Sequence, residues 1–404
     1  MFHVPCSMIV GLDGSRAFLK QRTGIEEYSY QVIKNLRENL KSDQVFLYVR
    51  SGQKVDFSLP ANWKVKIIKW PYLWTQVGLS LEIFFHPVDA LFIPAHIVPI
   101  IHPKNTIVVI HGLEYEFVPK AYPLWEKIYM RWAIKKSCRR AKTIIAVSNN
   151  TKKDLIKLYK VPEEKIKVVY EGYAINPPRP LGEDVRRTGE GYDGKQLLFI
   201  GRLEERKNII GIIKAFEILK EKYKIPHKLV LAGKPGFNYK KIQSYLSNSS
   251  YKSEIILTSF VSEEEKQKLL KNAEVFLFPT FYEGFGLPIL EAQSAGVPVV
   301  ASNNSSIPEV VKIPLLPLGE GARRADEGVL QNAPHPNPLP EGEGASDFST
   351  LLVDPKNPAA IAEATYKFIT DKKLKEEIIK KGLENTKRFS WEKCASSIAE
   401  VIKN

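Results

Sequence analysis

"FPTFYEGFGLPILEAQSAGVPVVAS", residues 278–302, begins on the last residue of an apolar run, Val275 to Phe278, that stops at Pro279. A short apolar run closed by proline suits a buried strand. Gly284 and Gly286 then let the backbone turn sharply and approach a ligand closely. Pro288 is placed as the first helical residue and Gly296 as the C-terminal stop. Val297 to Ala301 resumes a buried strand, so the segment reads as one βαβ unit. In open parallel sheets, ligands bind beyond the carboxyl ends of the strands, where this loop falls. A helix start offers bare N–H groups to anions and hydroxyl oxygens. Glu283 stands in the loop and Glu291 about one turn into the helix, and carboxylates of this kind bind sugar and ribose hydroxyls well. Spacing alone leaves open that both are solvated surface residues.

The same alternation continues in both directions. Strand-like runs occur at 8–13, 44–49, 64–69, 90–94, 106–112 and 143–148, then at 197–202, 228–233, 255–260, 275–280 and 297–302. Helical patterns lie between them. Residues 208–222 put Ile209, Ile212, Ile213, Phe216 and Leu219 on one face. Ser262 with Glu265 forms a capping box. Two series of alternating β and α elements predict an α/β protein with two doubly wound parallel sheets. The join falls in the proline- and glycine-rich stretch 171–194, and a ligand is expected in the cleft between the domains.

Composition narrows the function. The 404 residues suffice for two or three domains, with 44% hydrophobic and 26% charged residues, an ordinary globular balance. No apolar run reaches the eighteen or so residues of a membrane span. The start "MFHVPCSMIVGLDGS" lacks the features of a signal peptide, so the cytosol is the expected compartment. Cys6, Cys138 and Cys394 are too few and too scattered for a zinc site or a disulfide framework. Net charge is +14, and residues 1–180 hold 27 Lys/Arg against 15 Asp/Glu. That basic half could face nucleic acid, an anionic membrane surface or a phosphorylated substrate. Its densest stretch, "YMRWAIKKSCRRAK" (129–142), reads either as an interfacial amphipathic helix or as a solvated helix face. No nucleic-acid-binding motif accompanies it.

Two further segments carry chemistry. In "FIGRLEERKN" (199–208) a strand ends at Gly201, Arg202 follows, and Lys207 comes five residues later, before a helix starting near Asn208. Two cations and a helix N-terminus make a diphosphate clamp able to neutralise a departing negative group. Alone, the segment would also pass for a basic surface turn. His111 in "VVIHGLEY" closes an apolar strand, so its imidazole is expected to project into the cleft and donate to a sugar hydroxyl or a developing charge. A structural role for it stays open, and the other six histidines show no comparable setting.

Together these segments resemble the retaining glycosyltransferases of family 4, the group 1 glycosyltransferases. "EGFGLPILEA" matches the family's two glutamates with seven residues between, and "GRLEERKN" its Arg-x4-Lys clamp. "TGIEEYSYQVIKNL" (23–36) is similar to its first glycine-loop helix, with Glu27 where an arginine often stands. Segments 146–172 and 295–311 fit as well, and "RFSWEKCASSIAEVI" (388–402) resembles its terminal helix. The resemblance implies the GT-B fold, two Rossmann-like domains facing across a cleft. Residues 1–172 joined by 388–404 form the acceptor side, and 173–387 bind the nucleotide sugar. It implies that Glu291 holds ribose hydroxyls, while Glu283 and the backbone of Phe285, Gly286 and Leu287 bind the transferred sugar. Arg202 and Lys207 grip the diphosphate, His111 contacts the sugar, and Gly24 opens the first donor-binding helix. Transfer then proceeds with retention and without a metal or bound cofactor. The donor is a sugar nucleotide, GDP-mannose or a UDP-hexose, and the acceptor a saccharide or lipid-linked saccharide in polysaccharide assembly. A sugar-nucleotide epimerase of the same fold is the nearest alternative, and a basic nucleic-acid-binding protein the more distant one.

One departure stands out. Family members pass from the "PEVV" segment (308–311) to an "LLVDP" segment within a few residues, whereas here the latter begins at Leu351. The extra text, about residues 313–346, is rich in Pro, Gly and Glu, which argues against a packed core. "PLGEDVRRTGEG" (180–191) and "PLGEGARRADEG" (317–328) share eight of twelve residues. Two loops at unrelated places have no structural reason to share a text. We read both as copies of a mobile, palindromic DNA repeat translated in frame. A regulatory or acceptor-binding loop is the rival reading.

Overall fold

A computed structural model describes residues 8–173, 196–312 and 348–404. The N-terminal seven residues, most of the inter-domain stretch and the extra text at 313–346 lie outside them. The chain divides into two units, Met1–Ala174 with Phe389–Asn404, and Ile175–Arg388.

The first unit is built on one sheet. Its strands are β1 (Ile9–Asp13), β2 (Gln44–Arg50), β3 (Trp63–Ile68), β4 (Ala90–Ile93), β5 (Asn105–Ile110), β6 (Thr143–Ala146) and β7 (Ile166–Val168). They lie in the order β3-β2-β1-β4-β5-β6-β7, and every neighbouring pair is parallel. Parallel strands need helical crossovers that cover both faces, which is why these strands read as continuous apolar runs. The crossovers include α1 (Gly24–Asn39), α2 (Ser80–Phe85), α3 (Glu114–Phe117), α4 (Leu124–Arg140) and α5 (Asn149–Tyr159). Ile83 of α2, Ile134 and Cys138 of α4, and Leu155 of α5 join Leu91, Ile93, Val108 and Ile110 in one buried cluster.

The second unit repeats the plan. Its strands are β8 (Gln196–Ile200), β9 (Lys228–Ala232), β10 (Ile255–Thr258), β11 (Ala273–Phe278), β12 (Val299–Ser302) and β13 (Leu351–Val353). Their order is β10-β9-β8-β11-β12-β13, again all parallel. Around them lie α6 (Ile209–Tyr223), α7 (Tyr239–Ser247), α8 (Glu263–Asn272), α9 (Leu287–Ser294), α10 (Ile307–Val311), α11 (Pro358–Thr370) and α12 (Lys372–Thr386). The five apolar residues expected on the inner face of α6 are all buried, and Ser262 with Glu265 caps α8 as a capping box. Helix α13 (Trp391–Lys403) then returns to the first unit. There the rings of Tyr28 and Trp391 stand 5.8 Å apart. Among the described residues, no helix is long and apolar enough to cross a membrane.

The flanks of the extra text are tied to each other. Lys312 and Phe348 form an antiparallel bridge, and Ser349 N–H donates to the Val311 carbonyl at 3.0 Å. Beneath them Gln293 donates to Ser349 Oγ at 2.8 Å and Asn385 to the Val310 carbonyl at 3.1 Å. The chain therefore leaves and re-enters the fold at one place. Replacing residues 313–346 with a short Gly-Asp turn is expected to preserve donor affinity and turnover. Shortening a closed loop this much changes its closure entropy by only about 2–3 kcal/mol, in the deletion's favour. Thermal melting and steady-state kinetics of the deletion check this, and a loss of activity of about tenfold would show the segment to be part of the enzyme.

Candidate active site

In both sheets the strand order reverses beside the first strand, between β8 and β11 in the second unit and between β1 and β4 in the first. Loops leaving adjacent strands there run to opposite faces and open a crevice at the carboxyl edge. The two motifs with the strongest chemical content, residues 201–208 after β8 and 279–287 after β11, flank the reversal in the second unit.

The first of these loops is held by a close backbone approach. Gly201 and Gly233 have φ of 157° and 148°, and a Cβ on Gly233 would stand 1.9 Å from the Gly201 carbonyl oxygen. Gly201 N–H donates to the Ala232 carbonyl at 2.9 Å, and Leu203 N–H to the Lys234 carbonyl at 2.9 Å. Arg202 then extends outward, its side chain 59% exposed, with Nε 3.8 Å from Glu204. Lys207 does the opposite. It is buried, and its Nζ lies 2.6 Å from Glu283 Oε1. Asn208 starts α6 in a left-handed conformation, φ 57°. Its amide donates to the Pro279 carbonyl at 2.9 Å and the Pro355 carbonyl at 2.6 Å, fixing the two loops together.

Arg206, which the motif reading passes over, lies between the two acids. Its guanidinium reaches Glu204 at 2.8 Å and Glu283 at 3.3 Å, and also donates to the Tyr282 carbonyl at 3.2 Å. Burial pushes the Glu283 carboxyl upward, but Lys207 and Arg206 outweigh it and hold the group below the usual range. Burial and the neighbouring Arg206 in turn push the Lys207 ammonium down against the pull of Glu283. Glu283 is a buried ion-pair partner rather than a solvated surface acid. Arg202 and Lys207 are not an equal pair, since Arg202 is exposed while Lys207 is engaged with Glu283.

The glycine loop after β11 turns at Gly286, φ 114°, which precedes α9 and makes Pro288 its second residue rather than its first. Residues 304–306 cradle this loop. Ser306 Oγ donates to the Glu283 and Phe285 carbonyls, Ser305 Oγ accepts from Glu283 N–H at 3.1 Å, and Asn304 donates to the Phe281 carbonyl at 3.2 Å. Glu291 lies one turn into α9 and pairs with Lys266 of α8 at 2.7 Å. The arrangement brings four cations (Arg202, Arg206, Lys207 and Lys266), a helix start and three carboxylates (Glu204, Glu283 and Glu291) to the β8/β11 reversal, where a phosphate-bearing ligand would find both counter-charge and hydroxyl acceptors.

The first unit has its own polar cluster at the β1/β4 reversal. Buried Asp13 accepts from Ser15 N–H at 2.9 Å. His111 is not projected freely, as expected from its strand-end position, because both ring nitrogens are engaged. Nδ1 lies 3.0 Å from Glu171 Oε1 and Nε2 2.8 Å from the Pro94 carbonyl. A carbonyl can only accept, so Nε2 donates in that contact. His96 stands beside it, ring centres 5.3 Å apart, on a left-handed backbone of φ 52°. It is buried, its Nδ1 has no protein partner among the described residues, and burial, then His111 and Arg16, push its pKa well down. The expectation that no other histidine shares His111's setting is therefore corrected. Gly24 is the first residue of α1, and a Cβ there would meet nothing within 4 Å. Glu27 of the same turn pairs with Arg22 at 2.9 Å. Among the described residues, no three His, Cys, Asp or Glu side chains converge as a metal cage.

Comparison with known proteins bears on both units. The family model "Glycosyltransferase Family 4" matches residues 23–176, and "Glycosyl transferases group 1" matches residues 183–313, ending where the extra text begins. O-antigen chain mannosyltransferase B of Escherichia coli is 28% identical over 307 residues, 74% of this chain and 70% of its own. O-antigen chain mannosyltransferase RfbU of Salmonella typhimurium is 22% identical over 326 residues, 78% of this chain and 88% of its own. Among solved structures, WaaG, a glycosyltransferase involved in lipopolysaccharide biosynthesis, is similar with a TM-score of 0.68 at 14% identity, covering 97% and 99% of the two chains. HepE of Anabaena in complex with UDP and glucose is similar with a TM-score of 0.66 at 16% identity, covering 97% and 98%.

Proposed function

Because the chain belongs to the group 1 glycosyltransferases of family 4 type, with their GT-B fold, we propose that it moves mannose from GDP-mannose to a saccharide carried on a lipid. The transfer proceeds with retention and without a metal, during cell-surface polysaccharide assembly on the cytoplasmic side of a membrane. The observation that carries the reading is the knot of Lys207, Arg206 and Glu283 at the β8/β11 reversal, with Arg202 extended beside it.

When the donor binds, its diphosphate competes for Lys207 and draws Arg202 inward. Negative charge grows on the leaving phosphate during bond breaking, so cations already fixed by the fold stabilise the transition state more than the ground state. Released from part of its pairing, Glu283 accepts from a sugar hydroxyl. Backbone groups of Phe285, Gly286 and Leu287 complete that subsite, and Glu291, held in place by Lys266, accepts from the ribose hydroxyls. His111 donates from Nε2, exchanging the Pro94 carbonyl for a sugar oxygen, and Gly24 lets the start of α1 come close to the ligand. The choice of mannose rests on the names of the relatives; a UDP-hexose is the next donor to try.

Thermal stabilisation by a panel of sugar nucleotides tests the reading. GDP-mannose is expected to raise the melting temperature most, and Glu291→Gln to weaken nucleotide binding about tenfold, the value of one charge-assisted hydrogen bond. No stabilisation by any sugar nucleotide would overturn the assignment of this site.

A further inference from the structure

Exposed apolar surface is distributed very unevenly. Among the described residues, seventeen large apolar side chains are exposed, and sixteen of them lie between Val65 and Trp132; the other is Phe237. Val65 and Ile67 alternate along β3 with Lys66 and Ile68, whose side faces α2, and so lie on the other face of the sheet; the other fourteen follow β3, in residues 70–132. The loop 98–101 is stitched to α4 through Val98 N–H and Ser137 Oγ at 3.0 Å, and to α2 through Ile100 N–H and Ser80 Oγ at 3.0 Å. The outer sides of α2 (Leu81, Phe84, Phe85), of this loop (Ile100, Ile101) and of α4 are therefore neighbours. Tyr72 and Leu73, 80% and 67% exposed, precede α2.

Helix α4 shows the chemistry of the face. Its buried side is Ala133, Ile134, Ser137 and Cys138. Outward it presents Leu124, Trp125, Ile128, Tyr129 and Trp132, spaced as a single stripe at i, i+1, i+4, i+5 and i+8. The same stripe continues one turn on with exposed Lys136 and Arg139. It is thus apolar and aromatic for two turns and then basic, and it begins five residues before the stretch that the sequence marked. Residues 64–142 hold 12 Lys/Arg against 5 Asp/Glu, half of the chain's net charge of +14.

We propose that this face docks on an anionic lipid bilayer, with the aromatic stripe of α4 and the apolar tips around α2 entering the headgroup region while Lys136 and Arg139 meet lipid phosphates. Apolar patches of this extent on a soluble chain mark interaction sites. Tryptophan and tyrosine mixed with cations match the interface between headgroups and acyl chains, and neither signal alone suffices for stable attachment. The inference deepens the proposal of a lipid-linked acceptor, and rests on it for its purpose.

Flotation of the full chain with vesicles provides the test. Binding is expected to phosphatidylcholine vesicles containing about one-third phosphatidylglycerol, at least about tenfold stronger than to phosphatidylcholine alone and weakened by salt. Trp125→Ser with Trp132→Ser should lower that partition about tenfold or more, and Lys136→Glu with Arg139→Glu should remove its dependence on lipid charge. Thermal stabilisation by the sugar nucleotide should be the same in both double variants, so a failure of docking is distinguishable from a failure of the donor assignment. Partition indifferent to lipid charge and to both double variants would overturn the proposal. So would light scattering that shows a dimer which Trp125→Ser and Trp132→Ser dissociate, since the face would then be covered by a second copy.

Discussion

Lys207→Met is expected to lower turnover by about 10²–10³, the cost of removing one preorganised charge from a developing anion. The same change should also destabilise the fold, because Lys207 and Glu283 form a buried pair, each side chain 10% exposed, at 2.6 Å. Breaking such a pair from one side costs about 3–5 kcal/mol, since the remaining charge stays buried. Arg206, 3.3 Å from the same carboxylate, keeps the loss toward the low end. The two effects separate in the double variant Lys207→Met, Glu283→Gln. With the charge of the Lys207–Glu283 pair gone on both sides, melting temperature should recover most of its loss while affinity for the nucleoside diphosphate, which does not use the Glu283 sugar contact, stays low. Steady-state kinetics, nucleoside diphosphate binding and thermal melts on the wild type and both variants decide. Wild-type turnover in Lys207→Met would exclude it from the donor clamp, and nucleoside diphosphate affinity that returned together with stability in the double variant would reduce its role to structure.

Gly233→Ala should be the most damaging single methyl group in the second unit. Its Cβ would sit 1.9 Å from the Gly201 carbonyl oxygen, and its φ of 148° is one that side-chain-bearing residues rarely adopt. Overpacking and backbone strain together cost roughly 2–4 kcal/mol. The part that can yield is the loop carrying Arg202, which hangs from Gly201 and is pinned by Leu203 and Gly236. Donor affinity should therefore fall with stability, by about tenfold or more. Gly24→Ala is the control, since a Cβ there meets nothing, and it should melt as the wild type does. A Gly233→Ala protein that melts and binds nucleotide normally would mean that the two loops are not fixed against each other.

Most strands were legible because both of their faces are buried, which leaves runs of Val, Ile, Leu and Phe with no polar interruption. Ile166–Val168 and Leu351–Val353 were not, since three residues give no periodicity, and the second is cut off from its βα unit by the extra text. The glycine loop and the Arg202–Lys207 spacing were visible as local text. Arg206 was invisible for the opposite reason: its meaning depends on Glu283, 77 residues away, which only the β8/β11 reversal brings alongside. His96 is the same case in the first unit, a histidine in an unremarkable loop until the ends of β4 and β5 are set side by side. His111 was noticed, but its restraint depends on Glu171, 60 residues on. Spacing finds chemistry within one loop, and sheet topology is needed where two loops share it.

The bridge between Lys312 and Phe348 makes the text between them a side branch of the covalent path. Length added there is not transmitted to the sheet, whose pairing is already complete on either side of the branch. A reporter domain whose own termini lie close together could be spliced between these two residues without re-engineering the junction. A fluorescent protein seated there would ride on the second unit itself rather than on a tail. Energy transfer to a dye on the outer face of α4 would then report whether the distance between the two labels changes when a sugar nucleotide is added.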